Sequence, residues 1–301
     1  MSHKSSHSTI ILSLISVVIL SLILVWSLPI EKGVSAEDIQ RCIDESLSEE
    51  PGDSDFMKQQ AYELATVLFD DPAQCENFAD EVTEIYFASI NMDFLLVYNT
   101  GGFGGAAMKD DPEWPSILEG IERELADLGN YKSMVIEYQR GKGGTTGFLR
   151  EVEEVKNNYS SKAPELAARI AFLTKYNPKL KVITTGRCFG AIISNEVMEI
   201  EAANPRVYSI QAGRPWWYIE SSSGRSLVID DNGIMPDTLS RGDFWAIARA
   251  NINRLPSAFS PLEGGFKILN WYFKAPGHTY TWNYPRVQSE VSTFLKDVVL
   301  Q

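Results

Sequence analysis

The segment KVITTGRCFGAII, residues 181–193, carries the chain's one Gly-x-Cys-x-Gly, with Cys188 between Gly186 and Gly190. A strand-forming run precedes the motif and a helix-forming run follows it, so the cysteine falls at the apex of a sharp strand-to-helix turn. Glycines on either side let the backbone turn without a Cβ in the way. The apex side chain is then pushed outward, and the N–H of the next residue, Phe189, points into the same space. A thiol so placed suits covalent chemistry at a carbonyl. That chemistry needs a nucleophile, a base to take its proton, and donors to meet the negative charge that develops on the attacked oxygen.

The partners have candidates. Of the 3 histidines, His3 and His7 lie at the N-terminus, and His278, in APGHTYTWNYP, is the one imidazole in the body of the chain. Asn99-Thr100-Gly101-Gly102-Phe103-Gly104-Gly105 follows an apolar run. Backbone N–H groups near Gly101 and Gly102, with that of Phe189, would form a hole for an oxyanion. No Gly-Lys-Ser/Thr follows this loop, which sets aside a phosphate cradle. Residue types alone leave a plain structural role open for each: a small buried thiol in a turn, a core histidine, a loop rich in glycine for its backbone freedom.

Such a set needs a frame. From 36 to about 91 the text is helical, as AEDIQRCIDESL, SDFMKQQAYELATVLF and PAQCENFADEVTEIYFASI, broken at Pro51-Gly52 and Asp70-Asp71-Pro72. From Met92 short apolar runs at 93–99, 133–138, 180–185 and 206–212 alternate with helical segments at 114–129, 146–176 and 191–203. Further strands are expected at 226–230 and 266–273, and helices at 243–255 and 285–299. Near-continuous apolar strands between helices predict an α/β fold after a helical prefix. Its core would be a mostly parallel sheet of about six strands with helices on both faces.

The order of strand, glycine-flanked nucleophile, helix and late histidine resembles the α/β-hydrolase superfamily, whose elbow is Gly-x-Ser-x-Gly. Cysteine replaces serine in a minority of that superfamily, dienelactone hydrolases among them, so Cys188 departs from the commoner pattern. The resemblance covers residues 92–301 and rests on order and position; no stretch points to a subfamily. It implies Cys188 as nucleophile, His278 as base, and Gly101, Gly102 and Phe189 as the oxyanion donors. It also implies an acid after the penultimate strand, where SLVIDDNGIMPDTLSRGD offers Asp230, Asp231, Asp237 and Asp243. Asp231, just past the strand end, is the expected acid, with Asp237 next; Asp243 reads equally as a helix N-cap. Trp216 and Trp217, after the strand at 206–212, would wall an apolar acyl pocket. The implied activity is hydrolysis of an ester, thioester or amide through an acyl-enzyme, on a small-molecule or acyl substrate and with no cofactor. The alternative is a catalytically silent scaffold of the same fold that binds a ligand or partner at the cell surface.

Composition sets the surroundings. At 44% hydrophobic and 22% charged the chain is a globular one, and its net charge of -13 repels phosphates, which excludes nucleic acid as a partner. Thr9 to Ile30 is an uncharged apolar run of about bilayer-spanning length. It divides the chain into a cytoplasmic stub (1–8), a transmembrane anchor or uncleaved signal (9–30), the helical prefix (31–91) and the α/β domain (92–301). Lys4 precedes the run and acidic residues follow it, so the C-terminal bulk is expected outside the cytosol. Cleavage after Val34-Ser35-Ala36 would instead release it as a secreted or periplasmic protein. Thiols outside the cytosol oxidise. The simplest pairing of the 3 cysteines joins Cys42 to Cys75 and leaves Cys188 free, the alternative being no disulfide. One available imidazole and unclustered cysteines offer no metal site.

Overall fold

A computed structural model describes residues 34–48, 50–102, 107–140, 144–219, 222–251 and 274–301. The apolar run at 9–30, the strand expected at 266–273 and Phe103, Gly104 and Gly105 of the glycine-rich loop lie outside the described residues. No helix among the described residues is long and apolar enough to cross a membrane.

The prefix forms three helices, α1 (Ala36–Glu45), α2 (Ser54–Leu68) and α3 (Pro72–Ser89). Each starts at an oxygen-bearing cap that accepts one of the first free N–H groups: Ser35 from Asp38, Asp53 from Phe56 and Asp71 from Ala73. The α/β part then runs β1 (Phe94–Asn99), α4 (Trp114–Gly129), β2 (Ser133–Tyr138), α5 (Gly144–Lys156), α6 (Lys162–Tyr176), β3 (Lys181–Arg187), α7 (Phe189–Ile200), β4 (Val207–Ala212), β5 (Ser226–Ile229), α8 (Phe244–Asn251) and α9 (Pro285–Phe294). The segment expected as one helix over 146–176 is two. The break at 157–161 sets Asn158 and Tyr159 at φ 49° and 59°, outside the helical region.

Among the described residues the strands form one five-stranded sheet, parallel throughout, in the order β2-β1-β3-β4-β5. Alternation along β1 sends Leu95 and Val97 to one face and Phe94, Leu96 and Tyr98 to the other, and both sets are buried. The first face is covered by α6 and α7, and α1, α2 and α3 pack on α6 as a further layer in the same hydrophobic cluster. The second face is covered by α4 and α9 through Trp114, Ile117, Leu125, Val287, Val291 and Phe294. In this strand order the chain leaves β1 toward one edge and returns at β3 to build toward the other, so the carboxyl ends of β1 and β3 flank a topological switch point. A crevice opens there in parallel α/β sheets.

Cys42 and Cys75 are both buried and free, which overturns the expected disulfide. The helices that carry them, α1 and α3, meet chiefly through α2, and both sulfurs pack as small apolar groups in the first cluster. The Cys75 thiol donates to the Phe69 carbonyl at 3.4 Å, and burial pushes both thiols up. Buried, protonated thiols resist oxidation even in an oxidising compartment. Titrating the unfolded chain with a thiol reagent, in denaturant without reductant, should therefore count all 3 cysteines. A count of one would restore the disulfide.

Candidate active site

Cys188 is the single residue between β3 and α7, with φ 54° and ψ -119°, a conformation that costs a non-glycine residue of the order of 1–3 kcal/mol. The surroundings enforce it. The Cys188 N–H donates to the Ala212 carbonyl on β4 at 3.0 Å, while the Cys188 carbonyl accepts from Ala191 at 3.1 Å and so opens α7. A Cβ at Gly186 would meet the backbone of Gly190, and one at Gly190 would collide with the Asn99 carbonyl oxygen at the end of β1. Both glycines are therefore required by close backbone approach. Asn99, fully buried, pins the layers together: its side-chain amide donates to Thr184 on β3 at 2.7 Å and to Ser194 on α7 at 3.0 Å.

His278 lies in the loop that precedes α9, and the Cys188 thiol is among the neighbours that favour its protonated ring. Its Nδ1 stands 2.8 Å from Oδ2 of Asp237, a side chain with no exposed surface. A carboxylate can only accept, so Nδ1 carries a proton. The expected Asp231 does not make this contact. Its carboxylate accepts from the Gly233 N–H at 2.9 Å and pairs with Arg286 at 2.6 Å. Asp231 instead begins a turn through Gly233, at φ 79°, and bridges backbone to backbone with Pro236, so the chain doubles back and brings Asp237 under the imidazole. Asp230 lies 4.0 Å from Arg214, and Asp243 accepts from the Ala246 N–H as the cap of α8. The Asx turn and Pro236-Asp237 were present in the text, but nothing local said which acid the fold-back would deliver.

Three further residues escaped the sequence. The Tyr280 hydroxyl donates to the same Asp237 Oδ2 at 2.6 Å, while the other carboxylate oxygen accepts from the N–H groups of Leu239 and Ser240. Asn232, buried, donates to the carbonyls of Gly277 and Thr279 on either side of His278, at 3.2 and 3.0 Å. Gly213, the residue after β4, has φ 58°, and a Cβ there would strike both His278 and Asp237. The pair thus rests directly on the end of β4.

Of the expected oxyanion donors, Phe189 is the first residue of α7, beside Cys188, and Gly101 and Gly102 follow β1 across the switch point. Trp216 and Trp217 are 45% and 38% exposed. The Trp217 ring lies 6.1 Å from that of Phe189 and the Trp216 ring 5.2 Å from that of Phe244, so an apolar rim stands next to the cysteine. Cys188 itself is only 9% exposed.

The electrostatics of the pair are coupled. Burial disfavours a charged His278 ring, but the hydrogen bond to Asp237 and the neighbouring Cys188 outweigh it and push the imidazole up to about 9. Burial would likewise raise Asp237, yet the bonds from His278, Tyr280 and the Ser240 N–H hold it below the usual carboxylate range.

No family model matches the sequence, and no curated protein matches it. Among solved structures the chain is similar to a Trichoderma reesei cutinase in complex with a C11Y4 phosphonate inhibitor. That chain is 15% identical, the match covers 62% of this chain and 85% of the cutinase, and the TM-score is 0.37, too distant a likeness to bear on the site.

The shifts set a pH dependence. An imidazole at about 6.5 when unfolded and about 9 when folded binds its proton more tightly in the native state. The stability it supplies is therefore complete below about pH 6.5 and is lost as pH rises through about 9. Asp237 acts in the opposite sense, contributing above its ordinary value and losing its contribution as acid protonates it. Asp237→Asn should bring the His278 titration, followed by NMR of the ring Cε1–H, down by at least a unit and flatten the alkaline loss of denaturant stability. A titration unmoved by the substitution would show that the pair does not form.

Proposed function

We propose that the protein is an acyl hydrolase of α/β-hydrolase type that cleaves an ester, thioester or amide through a Cys188–His278–Asp237 triad. The observation that carries this reading is the convergence at the switch point. A strained cysteine at a strand-to-helix turn neighbours a histidine that is held through Nδ1 by a buried carboxylate.

In the first half-reaction the Cys188 sulfur, paired with a His278 ring that already holds the proton on Nε2, attacks the carbonyl carbon, forming a C–S bond. The carbonyl oxygen takes the electron pair and is met by N–H groups near Gly101, Gly102 and Phe189. As the tetrahedral species collapses, the bond to the leaving oxygen, sulfur or nitrogen breaks, and His278 returns the proton to that atom. Water then attacks the thioester carbonyl while His278 takes its proton. Collapse releases the carboxylic acid and restores the thiol. Asp237 keeps Nδ1 protonated and offsets the positive charge on the ring throughout. The exposed Trp216 and Trp217 beside Phe189 support an acyl group that is apolar or aromatic.

Cys188→Ala should abolish hydrolysis of short p-nitrophenyl esters, and Cys188→Ser should keep a fraction of it. Asp237→Asn should lower kcat by about 10³-fold or more, whereas Asp231→Asn should leave kcat close to the wild-type value. Full activity in the alanine variant would overturn the enzyme and leave a binding scaffold as the better account.

We further propose that the uncharged run at 9–30 anchors this domain on the outer side of a membrane, on the strength of its length and the charge asymmetry around it. Full-length protein expressed in cells should stay in the membrane pellet after alkaline carbonate extraction, with the domain open to protease added outside. Release into the supernatant would favour cleavage near Ala36.

A further inference from the structure

Against the glycine-rich loop lies a charged assembly that the packing of the sheet does not require. Arg140, two residues past β2, pairs with Glu151 of α5 at 2.7 Å, with side-chain exposures of 0% and 3%. Its Nη1 donates to the Tyr159 hydroxyl at 2.6 Å, which donates in turn to Glu151 at 2.7 Å, and the guanidinium carbon lies 5.0 Å from the centre of the Tyr159 ring. Its Nη2 donates to two backbone carbonyls, Thr100 at 2.5 Å and Gly102 at 2.9 Å.

This arrangement is costly in three ways. A buried ion pair adds little stability over apolar side chains of the same volume. The Nε of Arg140 is buried with no hydrogen-bond partner. Tyr159 takes a left-handed backbone conformation, φ 59°, that a bulky side chain rarely adopts, and it does so in the break between α5 and α6 that carries its hydroxyl to the pair. What the arrangement achieves is local: it fixes the carbonyls on either side of Gly101. In a trans peptide the C=O of one residue and the N–H of the next point in opposite directions, so anchoring the Thr100 oxygen sets the direction of the Gly101 N–H. The Thr100 oxygen also lies where a side chain at Gly190 would touch it, so this peptide borders the elbow directly.

We infer that Arg140 is the positioning residue of the oxyanion site, holding the Thr100-Gly101-Gly102 backbone in the orientation in which its N–H groups meet the carbonyl attacked by Cys188. This rests on the acyl-enzyme reading above. Arg140 touches no substrate; it acts through the two carbonyls, with Glu151 and Tyr159 holding the guanidinium in place.

The test separates oxyanion stabilisation from nucleophile reactivity. Arg140→Lys cannot reach both carbonyls in the same fork, so kcat for ester hydrolysis should fall by about 30- to 100-fold, with KM changed by less than about threefold. Inhibition by a trifluoromethyl ketone, whose hemithioketal carries the oxyanion, should weaken by a similar factor. Alkylation of Cys188 by iodoacetamide, which develops no oxyanion, should stay within about twofold of wild type. Unchanged hydrolysis, or alkylation falling in step with hydrolysis, would overturn the inference. Where Arg140→Lys does not fold, Tyr159→Phe removes only the bridging hydroxyl and should show the same split at about a fivefold loss in kcat; no loss there counts against the proposal equally. Cys188→Ala assayed alongside keeps the two readings distinct: if it still hydrolyses the ester, the acyl-enzyme fails and the role of Arg140 fails with it, whereas an inactive alanine variant beside a fully active Arg140→Lys sinks the positioning role alone.

Discussion

The transition from β3 to α7 takes one residue, and the rest of the upper half of the molecule is arranged around that constraint. To turn so sharply the chain must hold Cys188 at φ 54°, and it can do so only because α7 approaches β1 closely enough for Gly190 to touch the Asn99 carbonyl. Nothing in the local sequence relaxes the strain. It is offset by tertiary contacts: the Cys188 N–H bound to β4, the Asn99 amide bridging β3 and α7, and the apolar packing of α7 on the first face of the sheet. A strained apex held by a rigid frame keeps a side chain at one place and angle, which is what a reacting atom requires.

The same closeness governs the electrostatics. His278 and Asp237 are seated against Gly213, where a side chain would exclude both, and their shelter from water makes their mutual interaction strong. Burial acts against each charge singly and the pair reverses it, so neither residue behaves as it would alone. Tyr280 shares the load on Asp237 and is itself tethered, its backbone N–H donating to Glu113 at 2.9 Å. Glu113 pairs with Arg187, the residue before Cys188, at 2.5 Å. A chain of polar contacts therefore runs from the turn that carries the sulfur to the loop that carries the imidazole, through a residue at the head of α4.

Some of this was legible from residue order. The four central strand segments stand within a residue or two of their expected places, because buried parallel strands are near-continuous apolar runs and little else in a chain looks like them. The sharp turn at Cys188 was legible because glycines flank it between a strand pattern and a helix pattern. The break at 157–161 was hidden because its cause, the Tyr159 hydroxyl drawn to Arg140 and Glu151, is a contact between segments. The unpaired Cys42 and Cys75 were hidden because oxidation state depends on how α1, α2 and α3 stack, and pattern alone does not set that order.

What the amino-acid sequence determined by itself is therefore the set of elements and the kind of side chain at the end of each: an α/β alternation, a cysteine at a tight turn, a glycine-rich loop after the first strand, and a single histidine before the last helix. Periodicity and turn chemistry are local, and local signals suffice for these. Only the tertiary structure decided that Asp237 and not Asp231 meets the imidazole, because an Asx turn and a bridge to Pro236 reverse the chain between them. It alone brought Arg140 to the carbonyls of Thr100 and Gly102, since that requires β1, β2 and the α5–α6 break to meet in space. Hydrogen bonds between residues about 40 positions apart leave no periodic trace in the chain; they exist only once burial has removed water as the competing partner.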